Sequence, residues 1–418
     1  MKVLIVGGGG REHALAWKIK QSPKVKEIYC APGNGGISDI AQCVDIKATD
    51  ITTMVAFAKH NAIDLTVVAP DDPLAMGMVD ALEGAGCRAF GPNKLAAQIE
   101  ASKAFAKELM RKYNIPTAKY EIFDNYDDAV KYIEDSSIPV VIKADGLALG
   151  KGVTVAMTRG EALSALKSIM LDKVFKEAGN RVIIEQYLTG REVSVLAFSD
   201  GRNVVPMISA QDHKRAYDGN KGPNTGGMGA IAPSPYYTAE IKQRVEQEII
   251  NPTIAAMAVE GRPFKGVLYF GLMLTDEGPK VLEYNARFGD PEAQAVLPLL
   301  KSDLVNIMEA VVDGRLDKIN IEWYSKAAAC VVLASEGYPG HYITGYPILG
   351  LDEVTDPDVI VFHAGTRKDC GMYYTAGGRV LGVTAVADDL EMALYKAYAN
   401  VKKIRFKGAY YRSDIGRV

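Results

Sequence analysis

Glu283-Tyr284-Asn285-Ala286-Arg287 gathers three functional groups at the spacing of a β-strand. Successive strand side chains point to opposite sides, so Glu283, Asn285 and Arg287 are expected on one face. A carboxylate beside an amide oxygen suits a hard divalent cation such as Mg²⁺, or Mn²⁺, which keeps the rest of its shell for phosphate and water. Arg287 next to them can hold a phosphoryl group in transfer. The polar run Phe288-Gly289-Asp290-Pro291-Glu292 continues this chemistry, which favours a site over a face turned to bulk water.

Two glycine-rich segments could handle anions. Val140 to Val155 carries Lys143, Gly146, Gly150, Lys151 and Gly152. It is not a P-loop: three residues separate Gly146 from Gly150, no Ser or Thr follows Lys151, and a β-rich stretch comes next. It reads instead as a loop between two strands that folds over the phosphates of ATP, with Lys143 meeting the α- and β-phosphates as a point charge. Gly7-Gly8-Gly9-Gly10-Arg11-Glu12-His13 stands at a strand-to-helix turn, where bare amides can hold an anion. The dinucleotide fingerprint GxGxxG fails there. Counted from Gly7 its third glycine is Glu12, and counted from Gly8 it is His13. The ribose-binding acid due about 20 residues later is not evident, since Glu27 opens the second strand instead of ending it. A phosphate site without a nicotinamide fits better.

Other signals are weaker. Glu185-Gln186-Tyr187-Leu188 ends a strand that could offer its backbone to adenine, and Glu192 could take ribose hydroxyls, although a surface carboxylate explains Glu192 as well. Gln211-Asp212-His213-Lys214-Arg215 and the segment Gly222 to Ala230 form a polar, glycine-dense loop, and loops of that length in compact domains are functional or disordered. His213 reads as a binding or surface residue before a base.

The elements that must position these groups come in three blocks. Up to residue 100 short apolar strands (2–6, 27–31, 64–69, 87–90) alternate with helices from about His13, near 50–60 and near 74–85, which predicts a doubly wound α/β domain with a parallel sheet. Residues 101–325 begin helix-rich, pass through a compact α/β insert at about 118–190, and continue in longer strands (EVSVLAFSD, NVVPMISA, GVLYFGLML, PKVLEYN) that would build an antiparallel sheet. Residues 326–418 read as a small α+β domain with a helix at 389–402 and a basic, aromatic tail.

Bulk properties narrow the function classes. A formal charge of −3 gives no reason to expect nucleic acid or a membrane surface as partner. The apolar run Val3 to Val6 is too short for a signal peptide or a membrane span, which needs about 20 residues. Five scattered cysteines without a CxxC pair suit reduced thiols in the cytoplasm.

Taken together, VGGGGREHALAW, APGN, KADGLALGKG, QDHKR, GPNTGGMGA and EYNARFGDPE resemble the glycinamide ribonucleotide synthetase family of ATP-grasp ligases, in that family's order. The resemblance continues through GYPG, FHAGT, GGRVLGVTA and SDIG to the end of the chain. It implies an enzyme that joins glycine to 5-phosphoribosylamine at the expense of ATP, with an ATP-grasp core, a mobile lid and a metal; the chain is expected to act as a monomer. Carried over by position, Lys103, Lys143, Gly146, Gly150, Lys151, Gly152, Glu185, Leu188 and Glu192 would contact ATP, and Glu283 and Asn285 would hold Mg²⁺. Gly8, Gly9, Gly10, Arg11, Asn34, Asp212, Lys214, Asn224, Thr225, Gly226, Gly227 and Arg287 would line the substrate pocket, with Arg287 and Lys143 at the reacting centre. Two departures stand out. Asp71 replaces an expected glutamate and would reach less far, and the strand 266–274 carries no acid for a second metal. Rival readings are a dinucleotide-dependent dehydrogenase, a non-catalytic ATP sensor, and a related ligase using formate or bicarbonate.

Overall fold

The computed structural model describes residues 1–148 and 152–417. Its N-terminal sheet is wholly parallel: Lys2–Gly7 lies in the middle, with Glu27–Pro32 and Gln42–Cys43 on one side and Leu65–Val68 and Ala89–Phe90 on the other. Val3 to Val6 are all fully buried, and an apolar run without alternation is what a strand covered on both faces requires. The single helix expected near 74–85 is two, Asp71–Met76 and Met78–Gly84. Gly77 stands between them at φ 93°, a left-handed conformation that ends one helix and starts the next.

The helix-rich stretch resolves into Lys94–Ala101 and Lys103–Lys112. Ser102 separates them, its hydroxyl accepting from Phe105 N at 3.1 Å as the cap of the second. The chain then enters a four-stranded antiparallel sheet in the order Tyr120–Phe123, Val182–Gln186, Val140–Ala144, Val153–Ala156. Two helices, Tyr126–Asp135 and Arg159–Leu166, close its own core around Ile133, Ile142, Leu166 and Ile184. Among the described residues this core shares no cluster with the rest.

The central antiparallel sheet runs Val204–Pro206, Arg191–Asp200, Lys265–Thr275, Gly278–Asn285. A further sheet is built on Ala327–Ser335 and Arg379–Ala387. It recruits Gly229–Ala232 and, beyond it, Gln211–Asp212. Sheet membership therefore cuts across a division at residue 325, because both flanks of the glycine-dense loop belong to the sheet of the C-terminal part. Among the described residues no helix is long and apolar enough to cross a membrane.

The N- and C-terminal parts meet at two buried imidazoles. His363 N donates to His13 Nδ1 at 2.8 Å, and the rings lie 5.6 Å apart. Burial drives the pKa of His13 down to about 4 and that of His363 to about 3. Depressed values mean that the unfolded chain takes up protons first as pH falls below about 6.5, so stability is complete above that pH and declines toward pH 4. Urea unfolding should show this decline. His13→Gln, whose amide oxygen can still accept from His363 N, should make it shallower by about one proton, and an unchanged slope would contradict the assignment.

Candidate active site

Strict alternation along Gly278–Asn285 would send Glu283 into the core beside Val281. The register prevents this: Leu272 faces Val281 but Gly271 faces Glu283, so Leu282 is an extra, bulged residue. Val281 and Tyr284 consequently both join the core, while Leu282, Glu283, Asn285 and then Arg287 line a cavity of about 490 Å³. That volume suits a nucleotide together with small substrates.

Glu283 is held ionised, with its pKa lowered to about 2. Lys214 does most of this, with Nζ 3.2 Å from Oε1, and Lys143 and Lys103 add to it against the cost of burial. With its amide turned so that the nitrogen faces the nearby acceptors, Asn285 would donate to Glu100 Oε1 at 2.9 Å and to the Tyr284 carbonyl at 3.2 Å, which leaves its oxygen as an electron-pair donor. One ionised carboxylate and one amide oxygen are a donor set that Mg²⁺ accepts when phosphates complete the shell. The Lys214 ammonium already shows that the carboxylate takes a cation there. Among the described residues no three His, Cys, Asp or Glu side chains gather as ligands, so a metal would depend on the nucleotide.

Arg287 lies 3.0 Å from Glu100 Oε1 and 4.0 Å from Asp71 Oδ2. Burial works against the guanidinium, yet Glu100 and Asp71 more than offset it and hold its pKa above the usual value. Burial likewise raises Glu100 to about 7 in spite of Arg287. Arg287 Nε is buried and has no hydrogen-bond partner among the described residues.

On the opposite wall Lys103 Nζ donates to Gly146 O at 2.7 Å, and Lys143 Nζ donates to the bulged carbonyl of Leu282 at 2.9 Å. Gly146 and Gly152 line the cavity, whereas Gly150 and Lys151 lie outside the described residues. Glu185 also lines it, but its carboxylate is spent on two lysines, Lys143 and Lys107, each at 2.9 Å.

Asp212, Lys214, Asn224, Thr225 and Gly226 supply a third wall. Gly227 stands behind it at φ 114°, and a Cβ there would meet Asp212 Oδ1 at 2.6 Å, so only glycine leaves that carboxylate its room. Asp212 Oδ1 is buried without a partner among the described residues, and burial followed by the nearby Glu292 pushes its pKa well up. This wall is fastened by the chain's last residues. Arg412, with none of its surface exposed, grips Asp414 and donates to Arg215 O at 3.0 Å and to Asn220 Oδ1 at 3.1 Å. His213 is neither base nor surface residue: it is buried, its pKa falls to about 4, and its Nε2 accepts from Gly416 N at 3.0 Å.

Arg11 reaches the cavity, but Gly8, Gly9, Gly10 and Asn34 are not among its lining residues. Protein carboxylates already serve the turn there: Gly9 N donates to Glu12 and Arg11 N to Asp290. Asn34 bonds the Gly8 and His363 carbonyls and accepts from Gly36 N and Ile37 N, which fully engages its amide. Leu188 packs with Ala118 and Met273 in a small apolar cluster. Glu192, half exposed, is not among the lining residues and pairs with Lys214 at 3.4 Å.

Several lining residues escape a reading of the sequence. Glu100 and Lys107 flank the expected Lys103 at helical spacing across two short helices, and such charges normally mark a solvated face; only this regular spacing could have hinted otherwise. Arg379 arrives from the C-terminal part to bond Gly226 O at 2.6 Å and Asp290 O at 2.7 Å, a placement only topology reveals.

A small antiparallel sheet and an antiparallel core sheet that both line a cavity of paired lysines and carboxylates define an ATP-grasp protein. Comparison with known proteins narrows this. Residues 1–100, 101–293 and 328–418 match the phosphoribosylglycinamide synthetase N domain, ATP-grasp (A) domain and C domain, and the chain belongs to that family. It is 51% identical to the phosphoribosylamine–glycine ligase of Caldanaerobacter subterraneus subsp. tengcongensis, with 99% of both chains covered. Its identity to the enzyme of Halalkalibacterium halodurans is 52%, covering 100% of this chain and 96% of that one. A crystal structure of the phosphoribosylamine–glycine ligase of Thermotoga maritima superposes with a TM-score of 0.87 at 32% identity over 100% of both chains. The biotin carboxylase domain of the Hydrogenobacter thermophilus 2-oxoglutarate carboxylase shares the fold alone, with a TM-score of 0.75 at 15% identity over 98% of this chain and 91% of that one.

Glu283→Gln should keep nucleotide affinity, which Lys103 and Lys143 still serve, and lower turnover by on the order of 10²-fold. Steady-state kinetics at saturating Mg²⁺ checks this, and near-normal turnover would contradict the role given to Glu283.

Proposed function

We propose that this chain acts as a monomer in the cytoplasm, where it catalyses the ATP-dependent joining of glycine to 5-phosphoribosylamine in purine synthesis. The products are glycinamide ribonucleotide, ADP and phosphate. The observation that carries this reading is one cavity lined by the basic Arg287, Lys103 and Lys143 together with the acidic Asp212 and Glu283. A zwitterionic amino acid brings a carboxylate for Arg287 and an ammonium for Asp212.

The remaining walls fit the rest of the reaction. A carboxylate is a poor acyl donor because oxide would have to leave. Transfer of the γ-phosphoryl group to a glycine oxygen forms the O–P bond as the bond to ADP breaks, and gives an acyl phosphate. The phosphoribosylamine nitrogen then forms the C–N bond, phosphate leaves with the former glycine oxygen, and the nitrogen loses a proton. Lys143 and Lys103 neutralise the nucleotide phosphates, and Arg287 holds the moving group beside the glycine carboxylate. Mg²⁺ held by Glu283 and Asn285 would add Lewis-acid neutralisation of the phosphate oxygens. The lid, with its separate core, excludes water from the acyl phosphate.

A dehydrogenase fits poorly, because the glycine turn's Gly9 and Arg11 amides serve Glu12 and Asp290. ADP release measured with each substrate omitted in turn is the test. It should require both glycine and phosphoribosylamine, and ADP formed at full rate without glycine would overturn the reading.

A further inference from the structure

Lys107 is a buried cation beside the nucleotide wall that the chemistry above leaves unused. It sits four residues after Lys103 on the helix Lys103–Lys112, so both project from the same face. The residue is only 2% exposed. Its Nζ lies 2.9 Å from Glu185 Oε2, donates to Thr117 Oγ1 at 2.7 Å, and stands 5.7 Å from the centre of the Tyr120 ring.

These contacts mark a joint. Thr117 and Tyr120 are where the chain enters the lid, and Glu185 is where it leaves; Tyr120 and Glu185 are partners in the lid sheet. Thr117 Oγ1 donates in turn to Val281 O at 2.7 Å, next to the bulged Leu282 whose carbonyl receives Lys143. Glu185 thus has one oxygen on a core lysine and the other on Lys143, a lid lysine. A carboxylate buried among two ammonium groups divides its attraction between them. Removing one would leave the other to neutralise the whole charge, and the attraction is strong where water is absent.

We infer that Lys107 is a positioning residue: by sharing Glu185 it limits how tightly that carboxylate holds Lys143, and so keeps Lys143 available to the nucleotide phosphates. The inference rests on the reading of Lys143 as a phosphate ligand. Burial lowers the pKa of Lys107 to about 8 while Glu185 works to raise it, in keeping with a cation kept in place by that one carboxylate.

Titration calorimetry of Mg-ATP into the full chain tests this with wild type, Lys107→Met and the double variant Lys107→Met/Glu185→Gln. Lys107→Met should weaken ATP binding by about tenfold, the coupling typical of neighbouring buried charges. The double variant, in which no carboxylate is left to capture Lys143, should return to within about threefold of wild type, and KM for glycine should stay unchanged in both. A loss below about threefold in Lys107→Met, or a double variant as weak as the single one, would overturn the inference. A merely structural lysine would lower thermal stability and move all substrates alike. Should Lys107→Met not fold, the double variant, which leaves no unpaired buried carboxylate, carries the test by itself. ATP affinity within about threefold of wild type supports the inference, and a larger loss contradicts it. Wild type that fails to bind ATP would defeat the functional reading instead.

Discussion

A carboxylate withdrawn from water is costly unless matched, and around this cavity three such matches join different stretches of chain. Glu100 near the end of one helix meets Arg287 beyond the central sheet. Asp290 meets Arg379 of the C-terminal part at 3.2 Å and caps the backbone of Arg11 in the N-terminal part. Glu185 of the lid meets Lys107 of the core. Breaking a buried pair of this kind typically costs about 3–5 kcal/mol. The charges that build the site therefore also fasten its walls to one another.

The supports differ in stiffness. The substrate wall is tied by Arg412 and His213 to the final residues of the chain, so a loop rich in glycine is fixed at both flanks by strands and at its back by the tail. The lid has its own small core and touches the core sheet through the joint at Thr117 and Val281. One wall tied to the tail and another built on a separate core suit the proposed reaction, which must admit three substrates and then exclude water.

Much of this was legible in the sequence. Apolar strands such as Val3 to Val6 announced the parallel sheet, and the longer strands up to Gly278–Asn285 announced the antiparallel one. The polar run from Glu283 to Arg287 pointed to the cavity because charges on an otherwise apolar strand need a reason. The rest was hidden for physical causes. A bulge at Leu282 depends on pairing with Lys265–Thr275, and no local pattern reveals it. Charges on a helix, as at Glu100 and Lys107, look solvated until tertiary packing covers them. Asn34 and Gly8 to Gly10 looked like ligands because amides and glycines serve backbone turns and anions equally well.

The central claim is that ATP activates a carboxylate held between Arg287 and Asp212, and isotope transfer tests it most directly. Glycine carrying ¹⁸O in its carboxylate is turned over with ATP and phosphoribosylamine, and the inorganic phosphate is analysed by mass. The account predicts one labelled oxygen in phosphate for each turnover. Unlabelled phosphate, with the label kept in the product or lost to water, would contradict it.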